Sequence, residues 1–125
     1  MSLVPGLCAT VSLTVSDADT AIALGSGDVP VLGTPRVVAL CEQATCAALA
    51  GHLDPGRTTV GTRVELDHLA ATAVGRTVHA EAVLVEVDGP RLRFDVRAHD
   101  GDTDLAVGSV RRVAVDVERF LGKLR

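Results

Sequence analysis

Val37–Gly51 reads VVALCEQATCAALAG, and its only charged residue is Glu42. The stretch is long enough for a helix and is apolar nearly all round, which marks a buried helix rather than a surface one. A carboxylate inside such a helix gives up water, at a cost of several kcal/mol unless something compensates it. Glu42 therefore needs a partner or a task. Thr34-Pro35 opens the helix, because threonine is a good N-cap and proline is favoured at the first helical position. Gly51 closes it and Asp54-Pro55-Gly56 is a turn, so the helix is predicted over 35–49.

On the N-terminal side, Leu7–Ser16 is rich in β-branched residues and reads as a strand. Asp17–Gly33 reads as loop, with a short helical turn around Thr20–Leu24. Beyond Arg57 the period changes from 3.6 to 2. Four strands are expected, over Thr59–Leu69, Thr77–Val87, Arg91–His99 and Asp104–Val115, joined as a meander. Asp88-Gly89 and Asp100-Gly101 mark two hairpin turns. Leu92, Phe94, Val96 and Ala98 alternate with Arg91, Arg93, Asp95 and Arg97, the pattern of a half-buried antiparallel strand. A short helix follows Asp116.

Five strands at about 4.8 Å spacing make a sheet far wider than one helix of about 10–12 Å. The helix can be apolar all round only if the sheet curls about it or a second subunit covers the rest. The expectation is an α+β hotdog fold: a five-stranded antiparallel sheet wrapped around a long central helix, one domain over residues 1–125, paired into a homodimer.

Composition narrows the function. Hydrophobic residues make up 47% of the 125, with two Phe and no Trp or Tyr, so the core must be built from Val, Leu and Ala. The net charge of −4 and the lack of a Lys/Arg block argue against nucleic acid or an anionic membrane as partner. No apolar run reaches the length of a membrane span, and residues 1–5 lack the pattern of a signal peptide. The odd cysteine count (Cys8, Cys41, Cys46) without CxxC spacing reads as reduced core thiols in a cytoplasmic protein. The four histidines form no HxxxH or HxH pair, so neither a metal site nor a bound cofactor is expected.

The residues able to do chemistry are few. Counting by twos puts Val60, Thr62, Val64, Leu66 and His68 on one strand face and Gly61, Arg63, Glu65, Asp67 and Leu69 on the other. His68 lies at the end of the more apolar face. It is either a core histidine satisfied by a carbonyl or, with a lone Glu42 on the facing helix, half of a Glu42–His68 pair. Glu42 either accepts hydrogen bonds from a partner subunit or acts as base or nucleophile. Thr34 caps its helix, sits where helix N–H groups can stabilise an oxyanion, or does both. Arg111-Arg112, late in the last strand, is either a solvated strand end or a contact with a phosphate or carboxylate, with Arg112 the candidate for substrate binding.

These positions carry a resemblance. Gly33-Thr34, Cys41-Glu42, Leu53-Asp54-Pro55-Gly56, Val60-Gly61-Thr62, Val64–Ala71 around His68, Ala98-His99-Asp100-Gly101 and Val117-Glu118-Arg119-Phe120 are similar to the fluoroacetyl-CoA thioesterase-like branch of the hotdog superfamily. The similarity spans about Val31 to Phe120. It implies hydrolysis of an acyl-CoA, or a related acyl thioester, to free acid and thiol. It implies Thr34, Glu42 and His68 as the catalytic set, at the family's spacings of eight and twenty-six residues. It also implies that Gly61 presents backbone to the substrate carbonyl, with no cofactor beyond the substrate's own coenzyme A. One departure stands out. The family's lid carries aromatics just before the catalytic threonine, whereas Gly25–Leu32 (GSGDVPVL) has none. That departure leaves room for the alternative, a hotdog protein that binds acyl-CoA or another small ligand without turning it over.

Overall fold

The computed structural model describes residues 3–124. In order the chain forms β1 (Cys8–Thr14), a 3-10 turn (Asp17–Asp19), α1 (Ala21–Leu24), α2 (Thr34–Leu49), β2 (Arg57–His68), β3 (Thr77–Asp88), β4 (Arg91–His99), β5 (Asp104–Asp116) and α3 (Val117–Gly122). Every element expected from periodicity is present. The five strands make one antiparallel sheet in the order β1-β3-β4-β5-β2, and α2 packs on it, chiefly against β1 and β3.

The strand order corrects the expected four-strand meander. Only β3, β4 and β5 follow one another; β2 pairs with β5 at the far edge. The tight-turn signals explain this, since Asp88-Gly89 and Asp100-Gly101 lie only between the later strands. Residues 69–76 hold no such turn and cross the end of the sheet instead. There Val31 bridges Ala73, and the Leu32 N–H bonds the Thr72 carbonyl.

Alternation sorts the faces. Val78, Ala80, Ala82 and Leu84 of β3 and Leu92, Phe94, Val96 and Ala98 of β4 point inward, where they meet Val37, Leu40, Cys41, Ala44, Ala48 and Leu49 of α2. The outer face carries charged side chains in cross-strand ion pairs, among them Arg97 with Glu81 at 3.3 Å. One register shift interrupts β2 between Gly61 and Arg63, where Gly61 faces Arg112 and Arg63 faces Arg111. Thr62 is the extra residue of this β-bulge, so the side-chain phase reverses across it.

The helix departs from the sequence reading in one respect. Within a single chain it is not covered all round: Pro35, Ala39, Gln43 and Cys46 are exposed and Glu42 is half-buried. The sheet covers one side of α2, and the other side is an apolar face with one carboxylate. Of the three cysteines only Cys41 is buried, and Cys8 and Cys46 are at the surface. No helix of the described residues is long and apolar enough to cross a membrane.

Candidate active site

Thr34 is not the cap of its helix. Gly33 takes that position with extended backbone (φ −78, ψ 144), and Thr34 is the first helical residue. Gly33 is there because the chain is pressed against α1, where a Cβ would lie 2.9 Å from Leu24 Cδ1 and 3.1 Å from the Ala21 backbone. Its N–H donates to the Asp19 carbonyl at 2.9 Å. The Asp19 carboxylate in turn receives the Ser16 N–H and the Arg36 Nε–H, at 2.8 and 3.1 Å. Those bonds, the Ser16 N–H first, hold the Asp19 pKa below its ordinary 3.8 despite burial. The start of α2 is thereby fixed without the Thr34 hydroxyl, which is left for another use. That hydroxyl meets His68, with Oγ1 2.7 Å from Nδ1. The other ring nitrogen, Nε2, is buried without a hydrogen-bond partner among the described residues. His68 also lines a cavity of about 220 Å³ with Val31, Leu32 and residues 69–71.

Glu42 belongs to a second group. Its Oε2 accepts a hydrogen bond from Arg112 Nη1 at 3.2 Å. Arg112 is itself buried, and Thr59 holds it twice, through Nε to Oγ1 at 2.9 Å and Nη2 to the carbonyl at 3.1 Å. Gly61 lies directly beneath the Glu42 carboxylate, with no room there for a methyl group. The bulge makes this possible: it turns Thr59 and Gly61 inward in the first half of β2, and Val64, Leu66 and His68 inward in the second. Simple alternation had assigned Gly61 and His68 to opposite faces.

The expected Glu42–His68 pair is therefore corrected. Glu42 meets Arg112 and His68 meets Thr34. The reason is the pitch of α2, because eight helical residues advance about 12 Å. One chain brings Thr34 to His68 and Glu42 to Gly61 and Arg112, as two clusters two turns of helix apart. Arg112 contacts a carboxylate, as one of its sequence readings allowed, but the carboxylate is the protein's own. Thr59 escaped sequence reading, because nothing local announces the bulge that turns it inward.

Chemically, a hydroxyl on an imidazole nitrogen is a nucleophile beside a base. A half-buried carboxylate clamped by one arginine is a positioned proton acceptor or charge. Cys41, next to Glu42, does not compete as a nucleophile: burial pushes its thiol up to about 11. No group of three or more metal-capable side chains comes together among the described residues.

Residues 15–118 match the family model described as fluoroacetyl-CoA-specific thioesterase. The fluoroacetyl-CoA thioesterase of Streptantibioticus cattleyicolor is 39% identical over 95 residues, covering 76% of this chain and 68% of that protein. A crystal structure of the fluoroacetyl-CoA thioesterase FlK superposes with a TM-score of 0.92 at 32% identity, over 98% of this chain and 96% of that one. A variant of FlK in complex with fluoroacetate and CoA gives 0.87 at 32% identity, over 94% and 99%. A Thermus thermophilus thioesterase superfamily member shares the fold, with a TM-score of 0.89 at 23% identity over 97% and 90%.

Proposed function

The chain belongs to the fluoroacetyl-CoA-specific thioesterase family and is a hotdog-fold thioester hydrolase; from that premise we propose that it cleaves an acyl-CoA to free acid and CoA with Thr34, His68 and Glu42. The observation that carries the residue assignment is the 2.7 Å contact between Thr34 Oγ1 and His68 Nδ1, made by a hydroxyl that its helix does not need. His68 takes the Thr34 proton as Oγ1 attacks the thioester carbonyl, then returns it to the departing thiolate. Water next cleaves the acyl-threonine ester: Glu42 receives a proton from the attacking water and gives it back to Thr34 Oγ1 as that oxygen leaves, which restores both groups. Gly61 offers backbone to the substrate carbonyl, and Arg112 fixes the Glu42 carboxylate and meets the substrate beside it.

One substrate cannot reach Thr34 and Glu42 of the same helix at once, given about 12 Å between them. We therefore assign two shared sites to a homodimer, Thr34–His68 from one subunit facing Glu42–Arg112–Gly61 from the other. The exposed Ala39–Gln43–Cys46 side of α2, beside the half-buried Glu42, supports such a face between copies. A CoA substrate and three unpaired cysteines support a cytoplasmic setting.

The test is release of free thiol, followed with DTNB, across a panel of acyl-CoAs. Glu42→Gln keeps the shape and removes the base, so turnover should fall by at least about 10²-fold with the fold intact. Wild-type rates in that variant would end the mechanism. Mixing inactive Thr34→Ala and Glu42→Gln homodimers should restore one working site per heterodimer. No recovery after proven subunit exchange would refute the shared site.

A further inference from the structure

The outer face of the sheet carries an arrangement that the active-site reading does not use. Arg93 of β4 lies directly opposite Arg111 of β5, and Arg111 directly opposite Arg63 of β2. Three like charges thus stand side by side across three neighbouring strands. Directly opposed like charges work against strand pairing. Two of the three are relieved locally: Arg93 reaches Glu86 and Asp95, each at 3.5 Å, and Arg63 pairs with Glu65. The central one is not. Among the described residues the Arg111 guanidinium has no carboxylate or hydrogen-bond partner, and neither has that of Arg91, two residues before Arg93 on β4. Both are exposed. They open on a groove of about 470 Å³ whose charged walls are Arg91, Arg93 and Arg111 against Glu86 and Asp88. Glu86 is already engaged by Arg93, so two free guanidiniums face one free carboxylate.

We propose that this groove is a binding site for a phosphoryl group, held between Arg91 and Arg111. Guanidinium forks match phosphate oxygens two at a time, and one bound phosphate would relieve the charge stacking that the sheet itself leaves uncompensated. The modest local excess of positive charge suits a single phosphoryl group rather than a polyanion. The groove also borders the active-site side of the sheet. Thr62 and Arg112 line it, and they adjoin Gly61 and hold Glu42 respectively. A CoA thioester carries phosphates at its nucleotide end, and a free phosphorylated ligand carries the same chemistry. Only the first source rests on the thioesterase reading.

Arg91→Gln and Arg111→Gln, neither of them in the active site, decide the matter. Each is first checked by thermal melting against wild type, and calorimetric titration then uses adenosine 3′,5′-bisphosphate and inorganic phosphate as probes. The expected result is binding to wild type, weakened about tenfold in each variant, the worth of one charge-assisted hydrogen bond. Kinetics separate the sources. If the groove holds the substrate's own nucleotide end, kcat/KM for an acyl-CoA falls in the variants, while that for the matching acyl-pantetheine, which lacks the phosphates, does not. If titration changes and neither rate does, the ligand is a separate phosphorylated molecule. If wild type hydrolyses no thioester, the enzymatic reading fails and the titration still judges the groove. The proposal is overturned if both probes bind the variants as they bind wild type, or bind neither protein.

Discussion

Gly61→Ala isolates the role of the Glu42 carboxylate. The added methyl would fall inside van der Waals contact of Glu42 Oε2, while its next neighbour, Arg112 Nη1, would stand 3.4 Å away. Gly61 has no positive φ, so alanine adopts its backbone without strain. The clash is with the end of a flexible side chain, which can move. Restoring ordinary separation shifts the carboxylate by on the order of 1 Å, since carbon contacts are optimal near 3.5–4.0 Å. Stability should therefore stay within about 1 kcal/mol of wild type, the loosened Arg112 bond being offset by the lower chain entropy of alanine. Catalysis has no such tolerance, because a misplacement of about 1 Å can cost about 10²-fold. The assay is kcat/KM by thiol release, with urea unfolding alongside. The double variant completes it: if the loss passes through Glu42, Gly61→Ala should add little in a Glu42→Gln background. Full activity in the single variant, or an undiminished further 10²-fold loss in the double, would refute the reasoning.

Gly108→Ala should do the reverse, because the new Cβ would run into the Glu65 carbonyl of β2, and backbone cannot step aside. Unfolding should show a loss of about 2–3 kcal/mol, or a chain that fails to fold; native stability would refute the close strand contact. Asp19→Asn should lower the melting temperature at neutral pH. A carboxylate with a depressed pKa stabilises the fold above its unfolded value and loses that contribution as pH falls through the folded one. The gap to wild type should thus close below about pH 3.8, and a gap constant through the acid range would be the contrary result. With no ring in Gly25–Leu32 to close over a two-carbon acyl group, kcat/KM for acetyl-CoA and fluoroacetyl-CoA should lie within about tenfold, and longer acyl chains should be accepted. A strong preference for the fluorinated substrate would refute this.

The fold was legible where local chemistry dictates it. β-branched content marked the first strand, period-2 alternation the other four, and the two Asp-Gly turns the hairpins. What stayed hidden depends on distant partners. Which edge β2 joins is decided by the crossing of residues 69–76, not by β2 itself. The bulge at Thr62 is a register event between two strands, so no single-strand period can reveal that Gly61 and Thr59 turn toward Glu42. Of the candidate site, Thr34, Glu42, His68, Gly61 and Arg112 were proposed from the sequence, but not which of them touch. Thr34-Pro35 looked like a cap because threonine caps well; the close packing of Gly33 on Ala21 moved that duty one residue back. Glu42 looked fully buried because the sequence alone cannot tell a covered helix face from an open one.

The placement of β2 has a consequence for how the chain is born. Its partner residues run from 106 to 116, and they are synthesised only after β3 and β4. As the ribosome delivers the chain, β1 can find β3 and β3 can close its hairpin with β4, yet β2 must wait with its backbone groups unmatched. Long-range pairing of this kind slows folding and leaves a strand edge open to other chains. The strand that carries Gly61 and His68 is thus among the last to settle, and a nascent chain halted before Asp104 would hold an assembled β-hairpin but not the Glu42–Arg112 contact.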